Sequence, residues 1–298
     1  MDGEIKLSAF TIVTNPYYWN FPIVESIKAM LPLVDELVII DGGSEDGSQI
    51  HLPTLSPKIK YISDKDTKWE EDWIYNRMVR NYSRGFDECT GDWAIKFDAD
   101  YVVDNNYDFR RECELANDDV YMLQFNRYNF QLIDRYFLKN IKSWAVNKTL
   151  CKNEDLDVRW GYDLKNWGLC DEAIVYEKID KDGVFHGELL GLNHKKMISQ
   201  LNVYNYAYCF KTEEQAREGM YKNIKAMQLQ RGDNFNKTSQ QVLDDYKRAC
   251  MSMFKDSKQY LIPIEQHPKE IQQKINLLSS YQQGHSFWGG YERAKYYD

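Results

Sequence analysis

Trp93-Ala-Ile-Lys-Phe-Asp-Ala-Asp-Tyr101 decides how this chain is read. Its apolar run predicts a buried strand, and the run ends in two carboxylates, Asp98 and Asp100. Side chains two apart on a strand point the same way, so the spacing predicts that the two acids project together. Hard oxygen donors at the carboxyl edge of an α/β sheet suit a divalent cation that in turn grips phosphates. A bare D-x-D is common by chance. Its weight here comes from the strand before it and from Tyr101-Val-Val103 after it. The bland alternative is a solvated strand end.

The elements before this stretch alternate. Leu7–Thr14 is β-branched and predicts a first strand. Ile23, Ile27, Met30 and Leu31 fall at helical spacing, with Pro22 suited to a first helical turn. Glu36-Leu-Val-Ile-Ile40 is too short for a helix and reads as a buried parallel strand. Asp41-Gly-Gly-Ser-Glu-Asp-Gly-Ser48 follows, where glycines permit a tight turn and Asp46 supports it. Lys58–Ser63 predicts a third strand, and Trp69 to about Cys89 an amphipathic helix carrying Trp73, Met78 and Tyr82. This β-α-β order predicts an α/β fold, a Rossmann-like, mostly parallel central sheet flanked by helices. Past Asp104 the pattern loosens: Val120–Tyr128 and Trp144–Lys152 read as strands. From Lys195 onward Gln, Lys, Glu, Ala and Met dominate and predict helix. The expected division is a catalytic and ligand-binding domain at residues 1–200 and a helical extension at 201–298 packed on it.

The bulk numbers narrow the partners. The chain has 298 residues, 43% hydrophobic and 28% charged, with a net charge of -8. An acidic balance argues against nucleic acid or an anionic membrane surface as the main partner. No apolar run approaches the ~18–20 residues of a membrane span. Six cysteines stand far apart with no C-x-x-C pair, which excludes the usual zinc and redox spacings. Free thiols and an N-terminus without a leader pattern predict a reducing compartment, the cytoplasm. Aromatic content is high at 14%, compatible with carbohydrate handling although most rings fill core.

Taken together, Thr11-Ile-Val-Thr-Asn-Pro16, Pro22-Ile-Val-Glu-Ser-Ile27, Leu31-Pro-Leu-Val-Asp-Glu-Leu-Val38, Asp41–Ser48 and Gly91–Asp100 resemble the nucleotide-sugar half of family 2 glycosyltransferases, which have the GT-A fold. The resemblance covers about the first hundred residues well and is looser to about 200. It implies a nucleotide-sugar donor, UDP- or GDP-linked, a Mn²⁺ or Mg²⁺ ion at Asp98 and Asp100, and transfer to a glycan or other hydroxyl acceptor, usually with inversion. It places Asn15 in the first base-contacting loop. It makes Asp41 the acid that meets base or ribose, and Asp64 a further base contact, with Asp66 as its rival. Arg80-Asn81 resembles a diphosphate-binding Arg-Asn pair, against the plain reading of Arg80 as a solvated helix face. His186, in Gly183-Val-Phe-His-Gly187, resembles a segment whose His supplies a third metal ligand, with Gly here in place of Tyr. His194 is its rival and a buried structural role its alternative; His267 and His285 read as structural. Gly168-Leu-Cys-Asp-Glu-Ala173 resembles the acidic pair facing the acceptor. Asp171, then Glu172, is thus the expected base, against an ordinary acidic helix start. Trp160 and Trp167 are acceptor-platform candidates or core.

Two other readings use the same residues. Phe97-Asp-Ala-Asp-Tyr-Val102 also fits the D-x-D-x-V of haloacid-dehalogenase phosphohydrolases, with Asp98 as nucleophile and Asp100 as acid/base. That family opens its domain with the motif, whereas some ninety patterned residues precede it here. The other is a sugar-binding module that kept the fold without catalysis.

Overall fold

A computed structural model describes residues 4–64, 75–160, 173–179, 185–189, 194–207, 209–230, 235–245, 248 and 260–278. Strand β1, Leu7–Val13, sits between β2, Glu36–Asp41, and β4, Trp93–Lys96, parallel to both. Strand β3, Ile59–Ser63, extends the parallel run beside β2. The period-2 alternation of β1 and β2 splits the core between two faces. Leu7, Ala9, Leu37 and Ile39 pack with Ile23 and Ile27 of helix α1, Ile23–Met30. Phe10, Val38 and Ile40 pack on the other face with Tyr82 and Phe86 of α3, Tyr75–Glu88. A short helix α2, Ser48–His51, lies between β2 and β3. Gly85 lets α3 approach closely: a Cβ there would come within 2.8 Å of the Phe10 ring. This is the α/β architecture that the alternation predicts.

Beyond β4 the sheet continues with long strands. β7, Arg135–Asn147, pairs antiparallel with β4 and with β6, Met122–Leu132. β11, Lys196–Asn205, runs parallel to β6 and antiparallel to β5, Tyr101–Val103. The order is β3-β2-β1-β4-β7-β6-β11-β5, with β12, Tyr260–Leu261, against β7. Helix α4, Phe109–Ala116, is capped by Asp108. A second sheet, β10-β9-β8, joins Phe185–Leu189, Ala173–Ile179 and Asp157–Trp160. Helix α6, Glu213–Gln230, and the helix Lys269–Asn276 belong to the predicted extension.

Three expectations need correcting. The strand expected over Trp144–Lys152 stops at Asn147, whose side chain accepts from Leu150 N–H at 2.9 Å and starts helix α5, Lys148–Asn153. The helix expected from Lys195 is instead β11 to Asn205. There Ser199, Leu201 and Val203 are buried while Lys196, Ile198 and Gln200 are exposed, a period of two that helix-favouring composition hides. The strand of the D-x-D ends at Lys96, so Asp98 and Asp100 lie in the turn between β4 and β5 and not on a strand. The helix expected from Trp69 is described from Tyr75; Trp69, Trp73 and Asp66 lie outside the described residues.

Candidate functional site

The carboxyl ends of β1–β4 converge on one edge, and their loops interlock. Asn15, with φ 47°, donates its N–H to Ser44 Oγ at 2.8 Å, and its side-chain oxygen accepts from Glu45 N–H at 2.7 Å. Asp46 accepts from the N–H groups of Tyr17 and Tyr18 at 2.7 and 2.9 Å, which is the turn support its position predicts. Asp41 is buried at the end of β2 and accepts from Ser44 N–H at 3.1 Å and from the Ser44 hydroxyl at 2.5 Å. Burial, and then the charge of Asp41, raises the phenol of Tyr61. Asp64 follows β3, its N–H bonded to the Asp41 carbonyl at 2.7 Å. The Arg80 guanidinium reaches Asp64 at 3.4 Å and that of Arg84 at 4.0 Å. Asn15, Asp41, Asp64 and Arg80 therefore share one sheet edge.

Asp98 is already partnered. The Tyr82 hydroxyl donates to its Oδ1 at 2.6 Å, and Lys96 Nζ stands 3.0 Å from the same oxygen. Lys96 is buried, and its ammonium also lies 4.4 Å from the centroid of the Tyr82 ring. Burial opposes ionisation of Asp98, but Lys96 and Tyr82 outweigh it and hold the carboxyl below the usual range. Asp100 behaves oppositely. Burial first, and the Asp98 charge second, push it up to about 7 against the pull of Lys211 and Arg127. Burial lowers Lys211 to about 8, with Asp100 working against that fall. Arg127, on β6, donates to the Tyr101 hydroxyl at 2.7 Å.

A divalent cation fits this donor set. Two hard oxygen groups that repel one another gain from a charge between them, and Asp100 is the less committed of the two. Among the described residues no three His, Cys, Asp or Glu side chains converge as a complete ligand set. His186 lies on β10 at a register shift, paired with Lys178, and its ring is outside the described residues. His194 packs against the Tyr121 ring at 4.7 Å. His267 is buried, sharing a 2.6 Å contact with the Tyr206 hydroxyl, a structural place as its sequence context predicts. Asp171, Glu172, Trp167 and His285 lie outside the described residues, as does the Trp160 side chain.

Sequence reasoning missed Lys96, Tyr82, Arg127 and Lys211 as members of this cluster. Lys96 had a signal, since it stands two residues before Asp98. Lys211 had none: more than a hundred residues separate it from Asp100.

The Glycosyl transferase family 2 model matches residues 22–174, just over half of the chain. The chain belongs to that family. Solved structures resemble it at low identity. TarS of S. aureus (residues 1–349) is 11% identical with a TM-score of 0.41, over 80% of this chain and 68% of that one. The mannosyltransferase PcManGT of Pyrobaculum calidifontis, in complex with GDP-Man and Mn²⁺, is 12% identical with a TM-score of 0.35, over 51% and 47%. Glucosyl-3-phosphoglycerate synthase of Mycobacterium tuberculosis, with Mn²⁺, UDP and glucosyl-3-phosphoglycerate, is 18% identical with a TM-score of 0.31, over 43% and 45%. The chain thus spans about half the length of the last two. No curated protein matches it.

Proposed function

We propose that this chain transfers a sugar from a UDP- or GDP-linked donor to an acceptor hydroxyl, with inversion and with Mn²⁺ or Mg²⁺ as cofactor. The reading is carried by the Asp98–Asp100 pair at the end of β4, on a family 2 sheet whose neighbouring strand ends carry Asp41 and Asp64. Asp100 and Asp98 would hold the cation, with His186 as the candidate third ligand. A bound divalent ion supplies positive charge to the departing diphosphate. Asp41, Asp64 and Asn15 bind and orient the nucleoside, and Arg80 adds charge for the diphosphate. Asp171 takes the proton of the attacking hydroxyl, with Glu172 its substitute. The catalytic unit runs over about residues 1–200, with β11 ending at Asn205, and the largely helical remainder packs on it and adds β12 beside β7. No helix among the described residues is long and apolar enough to cross a membrane.

The test is a transfer assay with UDP- and GDP-sugars beside hydrolysis of p-nitrophenyl phosphate. Sugar transfer supports the reading; phosphate-ester hydrolysis alone would favour the haloacid-dehalogenase alternative. Nucleotide-sugar binding with no transfer to any acceptor tried would favour the non-catalytic module. Asp171→Asn is expected to leave donor affinity unchanged and slow transfer by about 10²–10⁴-fold. Full transfer activity in that variant moves the base to Glu172.

A further inference from the structure

We infer that Lys211 binds the leaving diphosphate of the donor, so that the segment after β11 adds to a site whose nucleotide side is built by the first hundred residues. The inference deepens the transferase reading and rests on it. Lys211 lies just before helix α6, far along the chain from the D-x-D turn. Three contacts place it at the site. The N–H of Tyr206 donates to the carbonyl of Asp100 at 2.9 Å, which ties the end of β11 to the D-x-D turn. The side chain of Asn20 donates to the carbonyl of Phe210, which ties the residue before Lys211 to the loop after β1. The Lys211 ammonium stands 4.2 Å from the centroid of the Phe21 ring, in that same loop. The lysine is thus held between the nucleotide loop and the metal turn, partly buried and close enough to Asp100 for each charge to affect the other.

Charge says what it faces. Among the described residues, Lys96, Arg127 and Lys211 gather around the turn that carries Asp98 and Asp100. Lys96 pairs with Asp98, Arg127 donates to Tyr101, and Lys211 lies over the Phe21 ring beside the same turn. Cations gathered beside a pair of cation-binding carboxylates at a strand edge suit a polyanion that bridges them, and an ammonium on a flexible stem is a point-charge phosphate binder. A group placed there stabilises charge that grows on the diphosphate as the glycosyl bond breaks.

The experiment is calorimetric titration of UDP and of GDP, each with Mn²⁺, into wild type, Lys211→Met, Lys211→Gln and Lys222→Met. Lys222 is the control: it sits on α6, pairs with Glu218 at 3.1 Å and lies 5.2 Å from the Trp19 ring centroid. The preferred nucleoside diphosphate is expected to bind either Lys211 variant about 10–100-fold more weakly, the loss of one charge-assisted contact. The free nucleoside should bind all four proteins alike, and Lys222→Met should match wild type. If Lys211→Met does not fold, the Gln variant decides. Equal diphosphate affinity in a folded Lys211 variant overturns the inference and leaves the transferase reading standing. A wild type that binds neither nucleotide removes both.

Discussion

The two edges of the parallel strands are both rich in carboxylates, yet only one carries the proposed site. At the amino edge, Asp35 accepts from Leu7 N–H at 2.8 Å and pairs with Arg110 at 2.8 and 2.9 Å. Glu36 accepts from the Ser8 hydroxyl at 2.6 Å and from Thr90, and Asp92 accepts from Lys6 N–H at 2.8 Å. These partners outweigh burial, so the carboxyls of Asp35 and Glu36 sit below their usual range. At the carboxyl edge, Asp98 is likewise held down, but Asp100 is pushed up to about 7. The carboxylates of Asp35 and Glu36 are satisfied by partners that hold strands and helix together. Asp100, which folding leaves under-compensated, is the carboxylate with most to gain from a ligand.

The strongest way to break this contrast is Asp100→Ala. Binding of UDP or GDP in the presence of Mn²⁺ is expected to fall by roughly two orders of magnitude or more, with far-ultraviolet dichroism unchanged. Unaltered Mn²⁺-dependent binding would show that Asp100 does not hold the cation. The mirror experiment is Asp35→Ala. It leaves the Leu7 N–H without its acceptor and Arg110 without its bidentate partner, so stability should drop by about 1–3 kcal/mol in urea titrations. Nucleotide affinity of the folded fraction should not change. A variant that loses affinity while keeping its stability would make the two edges alike.

How much of this was legible before the structure follows the same divide. The strands β1 to β4 are short, apolar and separated by turn residues, so their periods read directly from sequence. Asp41 falls at a strand end as its position predicts. The later strands resist that reading. β7 carries Arg135, Lys139, Asn140 and Lys142, and β11 carries Lys196, Gln200 and Asn202, residues that local preference does not favour in a strand. Their neighbours in the sheet decide their state, and Tyr128 and Phe130 of β6 join them by packing against Tyr136 of β7 and Tyr204 of β11. For the same reason the acids of the site were visible and two of its cations were not. Asp98 and Asp100 sit in a local motif, whereas Arg127 and Lys211 arrive from distant segments.

The smallest expected effect sharpens the contrast through pH. A carboxyl raised in the folded state holds a proton that the unfolded chain has lost, between its ordinary pKa near 3.8 and about 7. Over that interval folding is progressively penalised as pH rises, because ionising Asp100 costs more in the fold than in water. The lowered carboxyls at the amino edge act with the opposite sign: their contribution is present above the unfolded value and fades as pH falls through the folded one. Asp100→Asn removes the first behaviour alone and keeps the shape of the side chain. In metal-free buffer it should therefore be more stable than wild type at pH 8, on the order of 1 kcal/mol given its partly open face, and no more stable at pH 4. Paired thermal melts at the two pH values measure the difference. A gain of equal size at both would mean that packing, not charge, strains the carboxyl edge. No gain at pH 8 would mean that Lys211 and Arg127 already compensate Asp100 fully, and that this edge is as settled as the one opposite.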